Sequence, residues 1–186
     1  MRTKKEIIKE QMNHAKHICI WGAPGTGKST IAAGVFHEMK KKDYDVELVL
    51  EYAKSLVFSK DYFRMKNQLY ILAKQSHPWF KLDSQVQYTV NDSPFLMGLI
   101  YTQDSKHLPL KEFTDLIVKM YKGYDTINIF LLRNFENRYT EHGRNQTEVE
   151  ALNIQNDIAK LLLFHDIPHV KIVSSETSVQ EIISLL

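Results

Sequence analysis

The eight residues Gly22-Ala23-Pro24-Gly25-Thr26-Gly27-Lys28-Ser29 constrain this chain more than any other stretch. They satisfy G-x-x-x-x-G-K-[ST], the pattern of a loop that wraps phosphate. Glycines let successive backbone N–H groups converge on one point, because a Cβ would hold backbone and phosphate apart. Lys28 brings positive charge for the β- and γ-phosphates, and Ser29 a hydroxyl of the kind that ligates Mg²⁺ beside them. Such a loop works between a buried strand and a helix whose N-terminal dipole favours anions. The flanks fit: His17 to Trp21 reads as a short apolar strand, and Ser29 to Lys42 as a helix with Ile31, Val35, Phe36 and Met39 on one face. The expected nucleotide cradle is therefore Gly22, Ala23, Pro24, Gly25, Thr26, Gly27, Lys28, Ser29 and Thr30.

With 186 residues and no internal repeat, the chain is expected to form one domain, residues 1–186. A formal net charge of +2 is too small to argue for nucleic acid without a concentrated basic face. The run Lys40 to Lys42 is what a helix C-terminus favours. Cys19 is the single cysteine, placed inside the first strand as a small buried apolar residue, which points to a reducing cytoplasm. Met1 to Lys16 is charged throughout, with no signal or membrane segment expected, and Lys4 to Lys16 fits a short amphipathic helix. The histidines are scattered without zinc-site spacing, and no structural metal is expected.

Along the chain, strands are expected at Asp45–Leu50, Val86–Val90, Thr126–Leu132 and His169–Ser174, in addition to the first. Helices are expected at Asp61–Gln75, ended by His77-Pro78 and with Phe63, Leu69, Leu72 and Ala73 inward; at Phe95–Tyr101; and at Leu110–Lys122, carrying Phe113, Leu116, Ile117 and Met120. Two more follow: one after Thr147, with Glu150 completing a capping box and Val149, Leu152, Ile158, Leu161 and Leu162 buried, and one at Val179–Leu186. Alternating strands and helices argue for an α/β fold with a five-stranded, mostly parallel sheet covered on both faces.

Glu51 and Asp92 are expected at the C-terminal tips of the second and third strands, where ligands bind in open α/β sheets. Asp92 suits the acidic group that holds Mg²⁺ together with Ser29, and Glu51 suits the acceptor side, as base or orienting group; the roles are exchangeable. Arg133, Arg138 and Arg144 lie in a segment without apolar periodicity, at about 133–146. A loop of arginines closing over phosphates excludes water and neutralises charge developing in the transition state, with Arg138 and Arg144 best placed. Tyr52, Phe63 and Gln68 have the chemistry to stack on and hydrogen-bond a planar base, although helical spacing also makes core residues of the aromatics.

Glu51-Tyr52-Ala53-Lys54, Gln68, Asp92-Ser93-Pro94 and Gly143-Arg144-Asn145-Gln146-Thr147-Glu148 resemble a family of small phage-encoded P-loop proteins labelled AAA-type ATPases. That family is similar to the kinase domain of bacterial nicotinamide riboside kinases and, more distantly, to deoxynucleoside and thymidylate kinases. The resemblance implies a P-loop kinase-like three-layer fold and Mg²⁺- and ATP-dependent transfer of phosphate to a hydroxyl of a nucleoside-like acceptor, free or within DNA. Some phage relatives phosphorylate 5-hydroxymethyluracil in the polymer, which would place the protein in the host cytoplasm. In deoxynucleoside kinases a glutamate at the end of the second strand is the catalytic base, which supports Glu51. No sensor or arginine-finger region of true AAA machines is evident. The alternatives are a nucleoside monophosphate kinase, for which Arg64 and Lys66 are the local cations, and an NTP-hydrolysing accessory ATPase; a homodimer is left open. Lys54, Lys60, Arg64, Lys66, Lys74 and Lys81 offer a shallow basic face, equally explained as solvated lysines.

Overall fold

The computed structural model describes residues 14–102, 108–134 and 147–186. Among them, strands β1 (Lys16–Trp21), β2 (Val46–Val49), β3 (Tyr88–Asp92), β4 (Asp125–Leu132) and β5 (Val170–Val173) form one sheet in the order β2-β3-β1-β4-β5. Every pairing is parallel, so the α/β expectation holds and the sheet is parallel throughout. Parallel neighbours require crossovers. These are built from helices α1 (Lys28–Lys41), α2 (Tyr52–Phe58), α3 (Tyr62–Met65), α4 (Gln68–Leu82), α5 (Leu110–Lys122) and α6 (Glu148–Phe164), with a 3₁₀ segment at Phe95–Tyr101, and helix α7 (Ser178–Ile183) follows the last strand.

Strand alternation in β1 deals side chains to two cores. Ile18 and Ile20 enter one core with Ile31 and Val35 of α1 and Ile182 of α7. Cys19 and Trp21 enter the other with Trp79 of α4, Phe113 and Ile117 of α5, and Ile158 and Leu162 of α6. The result is three layers with β1 at the centre, and the loop after β1 emerges between its two neighbours, β3 and β4. The one buried polar residue of β4, Asn128, is 4% exposed and saturated: it accepts from Trp21 Nε1 (2.9 Å) and the Tyr121 hydroxyl, and donates to the Pro168 carbonyl (3.0 Å) and to Thr126 Oγ1 (3.1 Å). Such a network ties β1, α5 and β4 in one register.

The expected helix at Asp61–Gln75 is two helices. Asp61 accepts from the Arg64 amide and Asn67 from the Tyr70 amide, each at 3.1 Å, so both act as N-caps and the second restarts the chain. The break leaves Phe63 88% exposed, with Leu69 and Ala73 also outward, against the inward places expected for them. Nor does Pro78 end the helix; it lies inside α4. An interior proline costs about 3 kcal/mol. Burying an indole removes ~200 Å², worth roughly 5 kcal/mol at ~25 cal/mol/Å², and the next residue, Trp79, is fully buried. Tertiary burial outweighs the local penalty. α2 is a further helix that periodicity does not announce, since Leu56 alone of its seven residues is buried. Leu116 and Val149 are also exposed rather than inward, whereas α5 and the capping box of Thr147 with Glu150 match expectation. The helix expected at Lys4–Lys16 lies almost wholly outside the described residues.

His17, on the α4 side of β1, stacks on Trp79 with ring centroids 4.1 Å apart. Thr89 Oγ1 accepts from Asn91 Nδ2 (2.8 Å) and shares a hydrogen bond with His17 Nδ1 (2.7 Å). Burial lowers the His17 pKa from 6.5 to about 4, against opposing pulls from Asp83 and Asp125. Below pH 6.5 the unfolded chain takes up a proton that the folded chain refuses until about pH 4, so stability falls through that window. Between pH 6.5 and 5 the loss amounts to about 2 kcal/mol. Urea denaturation at the two pH values should register it, and His17→Asn should flatten the dependence.

Candidate active site

The loop between β1 and α1 has the geometry its sequence requires. Gly25 and Gly27 both have φ of 88°, a left-handed conformation that favours glycine. A Cβ on Gly22 would stand 2.7 Å from Thr26 Oγ1 and 2.9 Å from the Leu131 carbonyl, and the latter is backbone that cannot yield. Thr26 Oγ1 donates to the Ala23 carbonyl at 3.0 Å, and Lys28 Nζ reaches the same oxygen at 3.2 Å, folding the lysine back over the loop. Ala23 and Thr26 are buried behind the loop, while Pro24, Gly25, Gly27, Lys28, Ser29 and Thr30 face a cavity of about 580 Å³.

One carboxylate, Glu51, lines this cavity; the other, Asp92, stands at the tip of the neighbouring strand, outside the lining. Ile20 of β1 is in register with Asp92, and Val49 of β2 with Asn91, which sets Glu51 and Asp92 at adjacent strand tips. Glu51 occupies the N-cap position of α2 without capping it. Its carboxylate instead accepts from Ser93 Oγ at 3.2 Å. Burial raises the Glu51 pKa above the usual carboxylate range and the Asp92 charge adds to this, while Lys28, the Ser93 hydroxyl and Lys54 oppose. Asp92 is 1% exposed, and its Oδ1 has no hydrogen-bond partner among the described residues. A buried carboxylate oxygen left open suits Mg²⁺, a hard cation that keeps most of its waters and uses few protein ligands, and Ser29 is the hydroxyl expected to share it. Ser29 Oγ, the other oxygen of that set, accepts from Lys54 Nζ at 3.2 Å. Among the described residues no group of three His, Cys, Asp or Glu gathers around one point.

Beyond Glu51 the cavity turns apolar. Ile71 and Leu72 of α4, Phe95 and Met97 of the 3₁₀ segment, and Phe113 and Ile117 of α5 line it. Polar groups are few there: Gln68, whose Nε2 donates to the Met65 carbonyl at 3.0 Å, Gln75, and Tyr101, whose phenol pKa is raised by burial and by the Glu51 charge. Of the residues proposed for a planar base, Gln68 lines this chamber, whereas Tyr52 pairs with the Tyr70 hydroxyl (2.7 Å) and Phe63 points to solvent. Phe113 and Tyr101 were missed as cavity residues, because helical spacing marks a core residue and a pocket residue alike. Arg133 is 7% exposed and ion-paired with Glu148 at 2.6 Å, with its amide donating to Gln155 Oε1 at 3.2 Å. Arg138 and Arg144, and all but the first two residues of the arginine-rich segment at about 133–146 expected to close over phosphates, lie outside the described residues.

Among curated proteins no sequence matches this chain. Solved structures match it, including three of deoxyadenosine kinase from M. mycoides. One, with the products dCMP and a flexible dCDP bound, has a TM-score of 0.56 at 20% identity over 91% of this chain and 97% of that one. Those with dATP and dCTP give 0.54 at 18% and 0.52 at 15%, again over 91% of this chain and over 98% and 97% of theirs. At such identity the likeness speaks for the fold, and it spans nearly the whole of both chains. A family model described as an AAA domain matches residues 17–181, from the start of the first strand to the last helix. With its phosphate loop at the centre of a parallel sheet, the chain belongs to this AAA-domain family of P-loop proteins and has the fold of the deoxynucleoside kinases.

Proposed function

We propose that the chain transfers the γ-phosphate of ATP to a hydroxyl of a nucleoside-like acceptor. The observation that carries this reading is the continuity of one cavity from the phosphate loop, past Glu51, into the chamber of Phe95, Phe113 and Gln68. A hydrolase needs room for water; a transferase needs room for a second substrate, and this cavity lies within the ordinary range for small-molecule sites. That deoxyadenosine kinases of the same fold hold dCMP and dCDP as products supports a nucleoside-like occupant.

The roles follow from chemistry. Loop amides and Lys28 hold the β- and γ-phosphates, with Pro24 and Thr30 shaping the cradle. Mg²⁺, held through Ser29 and Asp92, would supply charge neutralisation across the phosphates. Glu51 accepts the proton of the acceptor hydroxyl as the new O–P bond forms and the bond to the ADP oxygen breaks. Arg138 and Arg144 would close over the phosphates. Among the described residues the cations lining the cavity, Lys28 and Lys54, both stand at the phosphate loop. Arg64 is paired with Asp61 at 3.2 Å, which weighs against a free nucleoside monophosphate as the acceptor.

A finer reading places the acceptor within DNA, as 5-hydroxymethyluracil. It is favoured by the exposed Phe58, Tyr62 and Phe63 near Lys60 and Lys66 in sequence, a pairing of stacking faces and cations suited to single strands. The test is transfer of labelled γ-phosphate with Mg²⁺ against nucleosides, nucleotides, nicotinamide riboside and DNA containing hydroxymethyluracil. Label on one acceptor with little free phosphate is the expected result; steady phosphate release with none labelled would favour the ATPase alternative.

A further inference from the structure

We infer that Gln75 is a positioning residue: its amide ties the tips of β2 and β3 together and thereby sets the mutual placement of Glu51 and Asp92. The inference rests on the phosphoryl-transfer reading above and concerns a residue to which that chemistry assigns no role. The β2–β3 register runs from Val46 with Tyr88 to Val49 with Asn91, and stops just short of both carboxylates. Beyond it, buried backbone groups still need partners. Gln75, reaching in from α4 and 6% exposed, supplies them. Its Oε1 accepts from the Tyr52 amide at 2.6 Å, and its Nε2 donates to the carbonyls of Leu50 at 3.3 Å and Ser93 at 3.2 Å. The contacts on β2 therefore bracket Glu51 on either side, and the contact on β3 falls immediately after Asp92.

Ser93 makes the arrangement more than a structural brace. Its φ is 80°, a left-handed conformation that a serine adopts at a cost of order 1–3 kcal/mol and keeps only when its surroundings over-determine it. The Ser93 carbonyl is held by Gln75 and the hydroxyl of the same residue donates to Glu51. Releasing the carbonyl frees the turn to relax, which takes the hydroxyl from Glu51 and admits water between the tips. Both Gln75 polar atoms are engaged with backbone, so toward the cavity the residue is wall.

Gln75→Met preserves volume while deleting all three hydrogen bonds. Its expected effect is a fall in kcat of roughly ten- to hundredfold, the scale of a small misplacement of reacting groups, with the acceptor KM within about twofold of wild type. The Glu51 titration midpoint, followed by ¹³C NMR of labelled carboxyls and assigned with Glu51→Gln, should move down toward the ordinary carboxylate range as water enters. Gln75→Asn, which keeps the amide but is one methylene too short to reach both tips, takes its place if the methionine variant does not fold. An unchanged midpoint and kcat, or a rise confined to KM, overturns the inference. A wild-type protein that transfers no phosphate would sink the kinase reading, while the NMR titration would still decide the role of Gln75.

Discussion

Lys28→Ala should abolish phosphoryl transfer, by ~10³-fold or more, and leave the protein folded. The magnitude is that of removing a charge aimed at a transferring phosphoryl group in a site that excludes water. The folding half rests on packing: Lys28 opens α1, belongs to neither core, and alanine is the best helix former at such a position. The hydrogen bond to Ala23 that would be lost is a partly buried surface contact, worth about 1 kcal/mol. A second consequence separates loss of binding from loss of chemistry. Lys28 is the strongest influence holding the Glu51 pKa down, so its removal raises the proton affinity of the carboxyl further. Calorimetry of ATP binding and circular dichroism, run beside the transfer assay, distinguish these effects. Transfer retained at wild-type rate would remove the loop from the chemistry.

How much of this was readable in sequence depended on whether a feature is local. The phosphate loop, β4 and α5 announce themselves through spacing within a dozen residues, and their positions agree with expectation to within a residue or so. β3 runs Tyr88–Asp92 rather than Val86–Val90, because pairing of Lys16 with Tyr88 sets where the ladder begins. Periodicity cannot see that. Two errors fell where local and tertiary forces disagree: Asn67 interrupts an otherwise helical pattern, and Trp79 carries a helix through Pro78. The strand-tip placement of Glu51 and Asp92 was legible, but the link between them was not, since Ser93 and Glu51 stand 42 residues apart. Nor was the apolar chamber assembled from Gln68, Phe95 and Phe113, whose aromatics one-dimensional spacing assigns to an ordinary core.

Glu51→Gln should lower the transfer rate by ~10²–10⁴, the usual contribution of a positioned base, and should at the same time make the protein more stable at neutral pH. Both follow from a carboxyl held above its ordinary pKa by burial first and by Asp92 second. Below the folded value the group is protonated and cannot accept a proton, so the wild-type rate rises as pH passes through it; the glutamine variant loses this limb. For stability, the unfolded carboxyl ionises near 4.5 and the folded one at higher pH. Stability is therefore fullest below 4.5 and is lost as pH rises through the folded value, where the native chain carries a buried charge that the unfolded chain solvates. Glutamine has the neutral shape at every pH and can still accept from Ser93 Oγ. Urea midpoints at pH 5 and 8 should then show wild type losing stability relative to the variant as pH rises, while the transfer assay shows the reverse order. A variant that is both inactive and less stable at pH 8 would mean that Glu51 braces the strand tips rather than serving as base. One that is more stable and fully active would hand the proton to another group, and Asp92, buried on the neighbouring tip, is the carboxylate next in line.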